Sequence, residues 1–172
     1  GGMFCSGGNL QRLLANRQEH KDVQAQGIEG LHSWIETIRT YPEPVIAAVE
    51  GAAAGAGFSL ALACDFIVAA RNAVFVMAYS NIALSPDGGA SWSLSQALTR
   101  QVATEILMCG DRVSAERLHA LGVINRIAES GSTLDVAYAL AEQLNSRAPN
   151  ALASIKELLN DAPHATLTHH LG

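Results

Sequence analysis

Basic residues are scarce in this 172-residue chain, with 11 Lys and Arg against 16 Asp and Glu and a formal net charge of −5 with His neutral. They are scattered and form no stripe, which argues against a nucleic-acid partner. Charged residues reach only 16% while apolar residues reach 49%. That is the composition of a globular chain, long enough for one domain with a buried core. Long apolar runs are missing, since none reaches the roughly 18–20 residues of a membrane span, and no secretory leader is visible. Cysteine is limited to Cys5, Cys64 and Cys109. They lie far apart without CxxC spacing, and an odd number in apolar settings reads as reduced thiols in a cytoplasmic protein. No His, Cys, Asp or Glu cluster has metal-ligand spacing, so no metal site is expected.

What the chain does have is an alternation of apolar segments. Gly1–Gly8 reads as a strand end and a Gly turn, and Asn9–Asn16 as a short helix or a mobile loop. Glu29–Thr40 carries Leu31, Trp34, Ile35 and Ile38 at helical spacing, with Pro42 and Pro44 beyond its end. Pro44–Val49 predicts a buried strand, Gly57–Cys64 a short buried helix, and Phe66–Ala70 and Ala73–Met77 two more strands. Ser85–Gly89 is a turn by composition. Helices are expected over Ser91–Leu98 and Ala103–Cys109. Asp111, Arg112 and Ser114 open a further helix, with Ser114 as its cap and Gly122 at its end. A short strand over Val123–Ile127 and helices over Thr133–Ser146 and Asn150–Leu159 complete an α/β class. Cys5 and Cys64 read as buried thiols, Asp65 as a cap or turn former, Trp92 as core, and Lys156 as part of a solvated helix face. There is no internal repeat, low-complexity tract or linker.

The segment PVIAAVEGAAAGAGFSLALACD holds seven consecutive Gly or Ala residues, Gly51–Gly57, between two apolar runs. Side-chain-poor backbone lets something come close. A dinucleotide site needs GxGxxG, and the third glycine is missing. A nucleotide P-loop needs Gly-Lys-Ser/Thr, and no Lys is present. Ser59 in GFSLA lies inside a helix, not at the tip of a strand-to-helix turn, so a hydrolase elbow fits poorly. Its bland reading is a hydroxyl bonded back to its own helix. Close helix–sheet packing without a ligand is one remaining reading. An oxyanion site built from backbone N–H groups at a helix start is the other.

Four segments then appear in one order and spacing: MFCSGGNL, PVIAAVEGAAAGAGFSLALACD, FVMAYSNIALSPDGG and LMCGDRVSAERLHALGVINRI. In this the chain resembles the crotonase superfamily, the enoyl-CoA hydratases and isomerases, from Met3 to about Leu159. The resemblance implies a spiral core of ββα units over residues 1–130, short of its first units, and a C-terminal helical oligomerisation region over 131–172. The chain is expected to be truncated at both ends. A homotrimer or a dimer of trimers is implied, in the cytoplasm, with no membrane partner. An acyl-CoA thioester is the implied substrate, and no separate cofactor is expected.

By the same resemblance, two backbone N–H groups hold the thioester oxygen, those of Gly8 and Ala56. Asn9 stands where the family usually has Asp. Ser6, Gly7, Leu10, Gly55, Gly57, Tyr79 and Pro86 are expected around the substrate. Hydratases use two Glu, and those positions hold Ser59 and Tyr79, neither of which serves as a carboxylate base. Standard hydration is therefore not expected. Asp87 in SPDGG is a turn residue by composition, and by register it matches the acid of some enoyl-CoA isomerases. A single carboxylate suits isomerisation, taking a proton from one carbon and returning it to another. The expected function is isomerisation through a thioester enolate, with Asp87 as base. The alternatives are a hydratase by family name, an aryl-CoA dehalogenase-like or hydrolytic enzyme with Asp87 as nucleophile, and a non-catalytic acyl-CoA-binding homologue. His32 matches a dehalogenase His, but reads first as a polar-face residue of its helix. Lys156 reaching CoA phosphates in an oligomer is the secondary reading of that residue.

Overall fold

A computed structural model describes residues 2–9, 11 and 21–171. The expected element over Asn9–Asn16 lies mostly outside the described residues.

Two three-stranded sheets carry the core. Strand β1 (Ile46–Val49), β3 (Phe66–Ala70) and β6 (Arg126–Ala128) lie parallel in the order β1-β3-β6. Their register runs Ile46↔Phe66 to Val49↔Ala69, and Val68↔Arg126 to Ala70↔Ala128. The second sheet has the order β2-β4-β5, with β2 (Ala52–Ala54) parallel to β4 (Val74–Val76) and β4 antiparallel to β5 (Arg112–Ser114). The chain steps from one sheet to the other in very few residues. Gly51 makes the first step at φ +65, where an added Cβ would lie 2.2 Å from the Gly2 carbonyl oxygen. After β2 the chain enters helix α2 (Ala56–Ala63) and returns to the first sheet at β3. A strand in each sheet followed by a helix is the expected ββα unit.

Helix α1 (Lys21–Thr40) precedes β1 and is longer than the expected Glu29–Thr40. Its stripe is narrower than expected, since Leu31, Ile35 and Ile38 are half-buried but Trp34 is 67% exposed. Helix α2 is apolar on all sides and buries Phe58, Ser59, Ala61, Leu62 and Ala63, as a helix inside a core must. Phe58 packs on Phe75 with ring centroids 5.0 Å apart. Met77, Leu94, Ile106 and Leu118 complete this core. Leu94 belongs to α3 (Ala90–Ala97), Ile106 to α4 (Arg100–Cys109) and Leu118 to α5 (Ala115–Ala120). A second cluster of Val68, Ala128, Ala137 and Leu140 lies under α6 (Thr133–Asn145). Glu50 ties the start of α6 down, its Oε1 accepting from Gly131 N at 2.9 Å and from Thr133 Oγ1 at 2.9 Å. The chain ends with α7 (Pro149–Asp161) and α8 (Leu167–His170).

Several expectations are corrected. Ala52–Ala54, which the Gly/Ala composition left without an element, is a strand: it pairs with Val74–Val76, and Cys5 bridges to Ala53 on its other side. Pairing partners outweigh the low β-propensity of alanine. Arg112–Ser114 is also a strand, because Val113 pairs with Phe75 and is buried there. Ser114 still caps α5, accepting from Arg117 N at 3.1 Å. Trp92 is half-buried outside the core, with the Arg39 guanidinium 4.7 Å over its ring and His164 stacked on it. Cys5 and Cys64 are half-buried. Lys156 is not on a solvated face. It is 8% exposed and donates to Asp65 and to the carbonyls of Ile38 and Glu43.

Candidate active site

Three stretches converge at the start of α2: the turn after Cys5, the Gly55–Ser59 segment, and the loop from Tyr79 to Gly88. The first two meet backbone to backbone. Cys5 N donates to Ala52 O at 3.1 Å, and Ala54 N donates to Cys5 O at 2.9 Å. A Cβ on Gly57 would lie 2.4 Å from Cys5 O. A Cβ on Gly7, at φ +84, would lie 2.6 Å from Ala54 O and 3.5 Å from Ala56 N. Glycine at both positions is what lets these segments touch. The turn bearing Gly8 therefore rests on the Ala54–Ala56 backbone, beside the Ala56 amide.

Ala56 is the first residue of α2, after Gly55 at φ 52 with no side-chain cap. Its N–H is one of the helix's orphan donors and sits at the positive end of the dipole. Among the described residues neither the Ala56 nor the Gly8 N–H has an acceptor. The Gly55 carbonyl is occupied instead by the N–H groups of Phe58 and Ser59.

The third stretch brings an acid. Tyr79 is 8% exposed, and its ring atoms lie 3.7 Å from the Cβ that Gly55 lacks. Its O–H donates to Asp87 Oδ1. Burial, and then the hydrogen bond to Asp87, push the phenol well above the usual tyrosine range, so it is a proton-bearing donor across neutral pH. Ser59, 1% exposed, donates to the Asp87 carbonyl at 3.1 Å and lies 3.4 Å from Gly55 O. It bonds back to its own helix as expected and, in addition, holds the acid's main chain. A Cβ on Gly88, at φ +58, would meet Ser59 Cβ at 2.9 Å and Ile35 Cδ1 at 2.8 Å, so the loop is pressed onto α1 and α2. Asp87 keeps its turn role as well, its carbonyl accepting from Ala90 N at 3.3 Å.

The other expected residues fall as follows. Ser6, Gly8 and Asn9 are exposed on the first turn, Gly7 and Pro86 are half-buried, and Leu10 lies outside the described residues. His32 is exposed on α1, as a polar-face residue would be. A groove of about 580 Å³ lies away from these groups, lined by Met3, Phe4, Glu50, Gly51 and Asn72 among others. Its one carboxylate, Glu50, is spent on holding α6. Among the described residues no group of three or more His, Cys, Asp or Glu is placed to hold a metal, and no helix is long and apolar enough to cross a membrane. The Tyr79–Asp87 and Ser59–Asp87 bonds are invisible in the sequence. A 3₁₀ turn over Ser80–Ile82 and Ala83 at φ 56 intervene between Tyr79 and Asp87, and no local periodicity relates the two.

An acid and an unpaired helix-start amide beside a Gly-rich turn, on a ββα framework, describe a site suited to a negative charge developing on a carbonyl oxygen, and comparison with known proteins names its family. The family model described as enoyl-CoA hydratase/isomerase matches residues 1–171, and the chain belongs to that family. An enoyl-CoA hydratase from Polaromonas sp. JS666 is 67% identical with a TM-score of 0.98, over 99% of this chain and 66% of that one. An enoyl-CoA hydratase from Bacillus anthracis superposes with a TM-score of 0.92 at 27% identity, over 99% of this chain and 66% of that one. A carnitinyl-CoA dehydratase from Salmonella enteritidis PT4 is 38% identical over 155 residues, 90% of this chain. The chain spans 58% of the length of that curated relative. These relatives are named as hydratases and a dehydratase, not as isomerases, which lends the expected isomerisation no support.

Proposed function

We propose that this chain is the acyl-CoA-processing part of an enzyme acting through a thioester enolate. The thioester oxygen accepts hydrogen bonds from the Gly8 and Ala56 N–H groups. Asp87 removes a proton from the carbon next to the thioester. The observation that carries this reading is the Asp87 carboxylate bonded to Tyr79, whose ring lies against Gly55, the residue before the Ala56 amide that has no acceptor among the described residues. Return of the proton to a more distant carbon completes an isomerisation, the reaction a single carboxylate serves best. Coenzyme A enters as part of the substrate, and the proposal needs no further cofactor. Ser6, Gly7, Leu10, Gly55, Gly57, Tyr79 and Pro86 would surround the acyl group. A homotrimer or dimer of trimers in the cytoplasm is part of the same proposal; the exposed Leu134, Tyr138, Ile155 and Leu158 of α6 and α7 are apolar surface suited to it.

The names of the relatives favour a second reading, removal or addition of water. It uses the same enolate, with the proton taken by Asp87 passed to the β-hydroxyl, which leaves as water as the enolate's electron pair forms the double bond. The test offers 3-enoyl-, 2-enoyl- and 3-hydroxyacyl-CoA to the protein and to Asp87→Asn. Isomerisation lost by roughly 10²–10⁴-fold in the variant supports the first reading. Dehydration of the hydroxy thioester without isomerisation installs the second. Heavy oxygen from water entering Asp87 in a single turnover makes it a nucleophile. Binding without any turnover leaves the non-catalytic homologue.

A further inference from the structure

Asp87 is fixed at two levels. Its main-chain carbonyl accepts from the buried Ser59 hydroxyl at 3.1 Å, and Gly88 leaves no room between the loop and Ser59 or Ile35. That immobilises the backbone but not the carboxylate, which keeps its own side-chain rotations. The second clamp is Tyr79. Its ring is buried against Gly55 and its O–H reaches Oδ1. The phenol has one proton and donates it in a hydrogen bond to Oδ1, so one carboxylate oxygen is committed and the other is left for chemistry.

We infer that Tyr79 is a positioning residue for Asp87, its phenol O–H committing Oδ1 and presenting Oδ2 as the oxygen that exchanges a proton with the acyl-CoA. This rests on the reading of Asp87 as base. Tyr79 itself transfers no net proton: the α-proton passes to Asp87 Oδ2, the electron pair moves onto the thioester oxygen, and the phenol keeps its hydrogen. The ring also lies against Gly55, the residue that precedes the Ala56 donor, so the base is oriented from beside the oxyanion donor. Misplacing a reacting group by about 1 Å costs about 10²-fold in rate, which is the size of effect a lost orienting bond should have.

The experiment measures exchange of the α-protons of butyryl-CoA with deuterated water in the full chain, by proton magnetic resonance. Tyr79→Phe, Asp87→Asn and the double variant are compared, with butyryl-CoA affinity and thermal midpoint recorded for each. Tyr79→Phe keeps the ring on Gly55 and removes only the O–H. It is expected to lower the exchange rate at saturating thioester about 10²-fold, with affinity within about twofold of the parent protein. In the Asp87→Asn background the same change should cost nothing further, because a positioning group has nothing left to position. An unchanged rate in Tyr79→Phe, or an equal loss in both backgrounds, would overturn the inference. A loss accompanied by weaker binding and a lower midpoint would mark a structural role and overturn it too. Full exchange in Asp87→Asn would sink the underlying reading of the base, and is distinguishable because it needs no Tyr79 variant.

Discussion

Lys156 and Asp65 are joined by a 2.6 Å ion pair across 91 residues of sequence. Lys156 also donates to Ile38 O and Glu43 O, and Asp65 accepts from Val45 N at 2.8 Å. One ammonium thus fastens α7 to the end of α1 and to the segment entering β1. Lys156 is buried while Asp65 keeps part of its side chain in solvent, so the loss should lie between that of an exposed and a buried pair. Lys156→Met is expected to lose about 1–3 kcal/mol in urea unfolding, with Lys156→Met/Asp65→Asn recovering part of it. A loss below about 0.5 kcal/mol, the size of an exposed pair, would show that solvent reaches the site.

Glu50 predicts an acid dependence. The Thr133 hydroxyl, followed by the Thr133 and Gly131 N–H groups, holds its carboxyl below the usual glutamate range, against an opposing burial contribution. A depressed folded-state value means stability present above the ordinary glutamate range and lost as pH falls through the depressed one. Glu50→Gln should flatten that part of a stability–pH curve. Amide exchange at Gly131 and Thr133, followed at neutral pH, should rise in the same variant; no change at either amide would contradict the role given to Glu50.

Tyr79 predicts an alkaline dependence of opposite sign. Burial first, and then Asp87, raise its folded-state value above that of a free phenol. Stability from the protonated form is therefore present below the ordinary tyrosine range and declines as pH rises beyond it. In an ultraviolet titration Tyr79 should ionise above the range of a free phenol. Asp87→Asn should bring it part of the way down, since burial remains. Ionisation of Tyr79 in the free-phenol range would place it in solvent.

Cys64 should be the slow thiol. Burial, with Asp65 beside it, pushes it up to about 11, and the thiolate is the nucleophile. Cys109 is exposed. Iodoacetamide at pH 8 is expected to label Cys109 well before Cys64, read by mass spectrometry of the peptides; equal rates would contradict the packing around Cys64.

Gly57→Ala tests the contact between the first two stretches. The new methyl would lie 2.4 Å from Cys5 O and 2.7 Å from its Cβ, neither of which is the end of a flexible chain. Overpacking of this kind costs about 1–3 kcal/mol. The Cys5–Gly8 turn should lift from α2, so acyl-CoA affinity is expected to fall together with stability. Normal affinity in a destabilised variant would separate the turn from the binding site.

The alternation of apolar runs and turn residues was enough to assign the α/β class and place most elements, because burial periodicity and Gly or Pro punctuation are local properties of the chain. The same local chemistry marked the Gly51–Gly57 run as a place where backbone comes close, and the order of four segments pointed to the family, which in turn implied Gly7. What tertiary structure alone decided is everything that depends on a partner distant in sequence. Three alanines became a strand because Val74–Val76 and Cys5 flank them. Lys156, polar by type, was drawn inside because Asp65 and two carbonyls offered it acceptors. Trp34 stayed outside on a stripe whose neighbours are half-buried. The bond between Tyr79 and Asp87 arises because an intervening 3₁₀ turn and a left-handed Ala83 fold the loop back on itself. A side chain's type sets what it can bond, but which partner it meets is set by the packing of the whole chain.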